Sequence, residues 1–245
     1  MSALIEYKSV KKAFGKKRIY DDLSLSVEKG ETLTVIGGSG TGKSVLLKCL
    51  IGLMYPDDGE VMFDGHDVTT LTETELRDVR RRVSMVFQGA ALFDSLSVGE
   101  NIAYPLHEHT PDMAPEQVAS RVSKVLEMVN LPGIEAMKPS DLSGGMKKRV
   151  GLARAIATQP EVILWDEPTT GLDPISTRII DDLIVSMKKQ LGCTSIVVTH
   201  DMDSAFRVSD RMAMLAKRRI VECGTVPEMK ASRNPDVRAF FDARN

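Results

Sequence analysis

The segment Thr32-Leu33-Thr34-Val35-Ile36 runs directly into Gly37-Gly38-Ser39-Gly40-Thr41-Gly42-Lys43-Ser44, and an apolar helical stretch follows. A short β-branched run of this kind suits a strand buried on both faces. The glycines after it require a tight turn where the backbone itself must come close to something. From Lys43 to about Leu53 the spacing is helical, and Pro56-Asp57-Asp58-Gly59 is expected to stop that helix. Strand, glycine loop and helix in this order commit the chain to an α/β fold. In a Gly-x-x-x-x-Gly-Lys-Ser loop the backbone N–H groups point inward and cradle phosphate oxygens. The start of the helix adds partial positive charge. Gly37, Gly38, Ser39, Gly40, Thr41 and Gly42 are therefore expected to hold phosphate. Lys43 is expected to reach the β- and γ-phosphates of a nucleotide, with the Ser44 hydroxyl on Mg²⁺.

A second acidic segment fits this chemistry. Val162-Ile163-Leu164-Trp165 reads as an apolar strand that ends in Asp166-Glu167. A phosphate loop requires an acidic partner at a strand end, so Asp166 is expected to hold Mg²⁺ through water. Glu167 projects one residue further and is placed to polarise a hydrolytic water as general base.

Other elements follow from periodicity. Leu4–Tyr7 and Leu23–Val27 alternate as half-buried strands, and Val83–Phe87 and Ser195–Thr199 read as further strands. Helices are expected over about 72–82, capped by Thr72, over Pro115–Leu131, and over about Ile175–Leu191. In the second of these Val118, Val122, Val125 and Val129 make one apolar face. Strands alternating with helices predict a mainly parallel sheet, with a helical excursion between about 90 and 158.

Composition excludes some classes. The 245 residues are 42% hydrophobic and 27% charged, as in a globular protein with a core. A net charge of −2 offers no electrostatic footprint for nucleic acid. The three cysteines, Cys49, Cys193 and Cys223, lack metal-ligand spacing and are expected to be reduced, buried thiols. The N-terminus lacks the pattern of a signal peptide, and no window approaches the ~20 apolar residues of a membrane span. No regulatory domain is expected beyond Asn245.

Asp141-Leu142-Ser143-Gly144-Gly145-Met146, taken with the phosphate loop and Asp166-Glu167-Pro168, closely resembles the signature of the ABC-transporter ATPases. The likeness covers essentially the whole chain. It implies one nucleotide-binding domain, 1–245, with a RecA-like P-loop NTPase core (1–89 and 159–245). An N-terminal antiparallel β subdomain and an inserted α-helical signature subdomain (90–158) complete the expected architecture. It implies ATP and Mg²⁺ as cofactors. Phe14 matches the aromatic that stacks on adenine, Gln88 the glutamine that touches Mg²⁺ and water, and Asp173 the D-loop aspartate. His200 matches the switch histidine that contacts the γ-phosphate, so Glu167, His200, Gln88 and Lys43 form the implied catalytic set. Ser143, Gly144 and Gly145 open a helix, and in the family this end meets the γ-phosphate held by another subunit. The resemblance thus implies an ATP-dependent homodimer beneath integral membrane permease subunits, at the cytoplasmic face of the inner membrane.

The fifth signature position is usually glutamine in the family and here is Met146. Leu-Ser-Gly-Gly-Met resembles the Mla-type ATPases that move phospholipid. So do Phe87–Phe93 and Val98–Leu106 with the following His107-Glu108-His109-Thr110. This likeness implies a phospholipid cargo, an MCE-type lipid-binding protein and a STAS-domain subunit. It also makes residues around 87–110 the groove that receives the permease. An ATPase of a small-solute importer, for amino acids for example, would share every catalytic residue. A soluble ABC ATPase acting on DNA or the ribosome would add long coiled coils or a second ATPase unit, which this sequence lacks. Lys147-Lys148-Arg149 on the signature helix reads as a solvated basic face, with a place near phosphate as the alternative. Phe240 and Phe241 read as an anchor for the tail or a contact with a partner.

Overall fold

The computed structural model describes residues 3–243, so the expected domain ends at Met1 and Asn245 lie outside the described residues. Strands β1 (Ile5–Phe14) and β2 (Lys17–Val27) come first, and β3 (Thr32–Ile36) then leads through the glycine loop into α1 (Lys43–Leu50). Strands β4 (Asp58–Phe63) and β5 (His66–Asp67) precede α2 (Glu73–Arg82) and β6 (Val83–Val86). Three helices follow: α3 (Val98–His109), α4 (Pro115–Met128) and α5 (Gly144–Ile156). The chain returns through β7 (Val162–Asp166), α6 (Pro174–Leu191), β8 (Thr194–Thr199) and α7 (Met202–Val208). It ends with β9 (Arg211–Ala216), β10 (Arg219–Thr225), α8 (Val226–Ala231) and α9 (Pro235–Asp242).

The first sheet, in the order β2-β1-β4-β5, is antiparallel. The second runs β10-β9-β3-β8-β7-β6 and is parallel except for β10. The parallel direction has a direct consequence for the site. The ends of β3, β6, β7 and β8 all emerge on one edge, and just beyond them lie the glycine loop, Gln88, Glu167 and His200. Ligands bind at such carboxyl edges because strand ends and helix starts converge there.

One apolar cluster joins both sheets through α1: Tyr7, Leu23, Leu33, Leu46, Leu50, Val61 and Leu164 belong to it. A second lies on the other face of the parallel sheet. It combines Ile163, Trp165 and Val197 with Val118, Val125, Val150 and Ile156 of the helices between β6 and β7. Those helices therefore pack on the sheet rather than around a core of their own.

Several boundaries differ from expectation. Helix α1 stops at Leu50, well before Pro56. Gly52 is left-handed, the Gly52 N–H donates to Cys49 O, and the Leu53 N–H reaches back to Lys48 O. This Schellman pattern ends the helix by itself. Helix α4 ends the same way at Met128, with Asn130 in the left-handed position and the Leu131 N–H on Leu126 O. Strand β1 continues past Tyr7 because bulges around Ser9 break the period-two pattern without ending the pairing. Thr72 does cap α2, in a reciprocal box with Glu75.

Cys49 and Cys193 are buried, and burial pushes the Cys49 thiol up to about 11. Cys223 is exposed, against expectation, because β10 is an edge strand; its Sγ accepts from Arg211. Phe241 packs edge-on against Phe206 with ring centres 5.6 Å apart, which seats α9 on α7. Among the described residues no helix is long and apolar enough to cross a membrane.

Candidate nucleotide site

The glycine loop is tightly built around neighbouring chain. A Cβ on Gly37 would lie 2.5 Å from Leu215 O, and one on Gly42 would lie 2.4 Å from Ile19 Cγ2. Tyr20 donates its hydroxyl to Gly42 O at 2.6 Å, so β2 fixes the loop from outside. Thr41 braces it from within, donating to Gly38 O at 2.9 Å. Lys43, the first residue of α1, is buried and folds back to donate to Gly37 O at 3.0 Å and Gly38 O at 3.2 Å. Its Nζ also lies 3.6 Å from Glu167 Oε1.

The acidic strand end meets this loop. Ser44 donates its hydroxyl to Asp166 Oδ1 at 2.6 Å, across 122 residues of sequence. Glu167 adopts φ +50°, a left-handed conformation, and its N–H is tied to Val198 O at 2.9 Å. A non-glycine residue in that region stores strain and persists only where its surroundings over-determine it. The surroundings do so here. Glu167 Oε2 accepts from His200 Nδ1 at 2.7 Å, from the His200 N–H at 3.3 Å and from the Thr170 hydroxyl at 3.2 Å. Nδ1 therefore carries a proton in this pairing.

These groups line one cleft of about 560 Å³, with Phe14, Lys17 and Ile19 on one side and Ser39, Gly40 and Gly42 on another. Lys43, Ser44, Gln88, Glu167 and His200 complete it. The volume suits a nucleotide-sized ligand. Phe14 is about half exposed, leaving a ring face for a stacking base. Among the described residues no group of three or more His, Cys, Asp or Glu side chains could hold a metal alone. One hydroxyl and one carboxylate on the same spot are instead the sparse oxygen set that suits Mg²⁺ shared with phosphates.

Ser143, Gly144, Gly145 and Asp173 do not reach this cleft. Ser143 caps α5, accepting from the Met146 N–H at 3.2 Å, and both Ser143 and Gly144 are exposed. Asp173 caps α6 through the Ile175 and Ser176 N–H groups. The Ser176 hydroxyl, with those N–H groups, holds the Asp173 carboxyl below the usual range. Gly145 faces this cap, because a Cβ there would lie 3.1 Å from Ser176 Oγ. Met146 packs partly buried against the second cluster. Lys147-Lys148-Arg149 is not the solvated face expected. Lys148 is buried and donates to Pro168 O and Thr170 O, and Arg149 donates to Val129 O and Asn130 O at the end of α4.

Sequence reading missed Thr170, Tyr20, Lys17 and Lys148. Thr170 had a local signal, three residues after Glu167. Tyr20 and Lys148 had none, because their partners are set by packing between distant segments.

Comparison with known proteins agrees with this geometry. Residues 20–170 match the family model described as ABC transporter. The "Intermembrane phospholipid transport system ATP-binding protein MlaF" of Escherichia coli K12 is 41% identical over 98% of this chain and 88% of its own length. The "Probable ribonucleotide transport ATP-binding protein mkl" of Mycobacterium leprae is also 41% identical, over 100% of this chain and 70% of its own length. Among solved structures, a dimeric ATP-binding cassette in a post-hydrolysis state, bound to ADP and Pi, superposes with a TM-score of 0.83. It is 31% identical and covers 91% of this chain and 98% of its own. With its loop, acidic strand end and histidine converging on a single cleft, the chain belongs to the ABC transporter family and is an ABC ATPase.

Proposed function

We propose that this ATPase energises phospholipid transport as part of an Mla-type system at the cytoplasmic face of the inner membrane. The observation that carries the hydrolytic part is the convergence of Lys43, the Ser44–Asp166 pair and the His200–Glu167 pair on one cleft. Identity of 41% to a phospholipid-transport ATP-binding protein, over nearly the full length of both, supports the cargo. Met146 in the signature supports it too.

ATP enters with its base on Phe14 and its phosphates in the cradle of residues 37–44. The Lys43 ammonium leaves the Gly37 and Gly38 carbonyls to meet phosphate charge. Ser44, Gln88 and Asp166 are the residues that would hold Mg²⁺, which supplies charge neutralisation to the phosphates when bound. Glu167 takes a proton from the attacking water, and His200 keeps that carboxylate aimed. Ser143, Gly144 and Gly145 lie outside the cleft and serve the site of a second copy, where the start of α5 offers N–H groups to phosphate. ATP then joins two copies and hydrolysis separates them, a ligand-driven shift with a mechanical output. Residues 90–158 act as the helical subdomain of this motor, with the remainder as its core. The exposed Phe93 and Tyr104, whose ring centres are 4.9 Å apart, offer the membrane subunits an apolar foothold. An MCE-type lipid-binding protein and a STAS-domain subunit complete the proposed assembly.

The equally identical relative named for ribonucleotide transport favours a second reading, in which a polar solute is carried. The test is chemical analysis of the purified transporter, this ATPase with its membrane subunits. Co-purified phospholipid, and ATPase activity that rises with added phospholipid, are expected. A complex free of lipid whose activity responds to ribonucleotides would overturn the phospholipid assignment.

A further inference from the structure

Lys148 is a buried cation that the hydrolytic set does not use. It lies early in α5, only 8% exposed. Its ammonium donates to Pro168 O at 2.8 Å and Thr170 O at 2.6 Å. Among the described residues no carboxylate pairs with it; two backbone carbonyls are its hydrogen-bond partners. A buried ammonium without a counter-ion is costly, and burial pushes the Lys148 pKa down while the nearby Glu167 carboxylate pushes it back up. A leucine or methionine would fill the same space without that cost, so the sequence spends stability on a donor at this point.

The two carbonyls bracket the turn that immediately follows Glu167. Within it the Thr170 N–H donates to Glu167 O at 3.3 Å and the Leu172 N–H to Thr169 O at 3.2 Å. The Thr170 hydroxyl holds Glu167 Oε2 at 3.2 Å. The turn starts from the strained backbone of Glu167 and continues into Asp173, the cap of α6. Lys148 clamps it from the helical side. The clamp is mounted on the helix whose first turn is Ser143-Gly144-Gly145, about 7 Å away along a rigid axis.

We propose that Lys148 is a positioning residue for ATP hydrolysis. It locks the Pro168–Thr170 turn so that the Glu167 carboxylate keeps its aim, and it passes any movement of α5 to that carboxylate. The inference rests on the role given to Glu167 and is independent of the cargo.

The test is steady-state ATPase kinetics with a separate measurement of ATP affinity, on Lys148→Met and Lys148→Gln. Methionine keeps an unbranched apolar stem one atom shorter and removes the donors. Glutamine keeps N–H donors on a shorter stem, so its turnover is expected between the other two. For Lys148→Met, kcat should fall by about tenfold or more while ATP affinity stays within about twofold, as expected when aim is lost rather than binding. Amide exchange at Thr170 and Leu172 should quicken in the same variant. A wild-type kcat in Lys148→Met overturns the proposal, as does a parallel loss of ATP affinity. If Lys148→Met does not fold, Lys148→Gln decides: lowered kcat at unchanged affinity supports the clamp, and wild-type kcat overturns it. Full turnover by Glu167→Gln would instead remove the role on which the clamp rests.

Discussion

Glu167 illustrates how a single residue can be specified from several directions. Its backbone is left-handed, its N–H is tied to β8, and its carboxylate meets His200, Thr170 and Lys43. Glu167→Gln keeps the shape and removes the proposed base. Turnover is expected to fall by about 10²-fold or more with ATP binding retained; ATPase assays beside nucleotide-binding titration check this, and near-normal hydrolysis would refute the role. Asp181 shows the opposite arrangement, a carboxylate whose fold disfavours its charge. Burial pushes it up to about 6, and Ser204 donates its hydroxyl to Oδ1 at 2.7 Å. The folded chain thus binds this proton more tightly than the unfolded one. The stability from this group is full below about pH 4, falls as pH rises, and is lost above about 6. Asp181→Asn keeps an acceptor for Ser204 and carries no charge. At pH 7.5 it is expected to raise Tm by about 3–6 °C, with the gain vanishing near pH 4.5; a gain equal at both pH values would contradict the assignment.

At the scale of elements, the ends of helices are decided by backbone geometry more than by the nearest proline. Gly52 ends α1 at φ +63°, and a Cβ there would sit 2.7 Å from both methyl carbons of Leu76. Gly52→Ala combines a left-handed alanine with a clash against α2. A loss of about 2–4 kcal/mol is expected, read as a Tm lower by roughly 5–12 °C in thermal unfolding. An unchanged Tm would mean that α1 ends for another reason. The same distinction explains the missed strands. Asp58-Gly59 looks like a turn but begins β4, where Gly59 faces the bulge at Ser9 with no room for a side chain. A local pattern cannot reveal a glycine required by a bulge in another strand.

For the whole molecule, the proposed function gives one chain two half-sites that face different ways. The cleft contains the phosphate loop, Glu167 and His200, whereas Ser143 and Gly144 are exposed elsewhere. A hydrolysis-deficient Glu167→Gln chain is expected to run as a dimer with ATP in light scattering, and as a monomer once Ser143→Glu puts a negative charge where phosphate must bind. Persistence of the dimer in that double variant would argue against the composite site. The sequence alone determined the nucleotide chemistry, because the loop, the acidic strand end and the signature are contiguous motifs whose function lies in their own backbone and side chains. It also determined the α/β class, through the alternation of apolar strands and amphipathic helices. Only the tertiary structure decided that the Ser44 hydroxyl donates directly to Asp166, that Tyr20 holds the loop, and that Lys148 is buried beneath the turn after Glu167. Those contacts join segments up to 122 residues apart, and the packing of strands and helices from distant parts of the chain, not local pattern, brings such segments together.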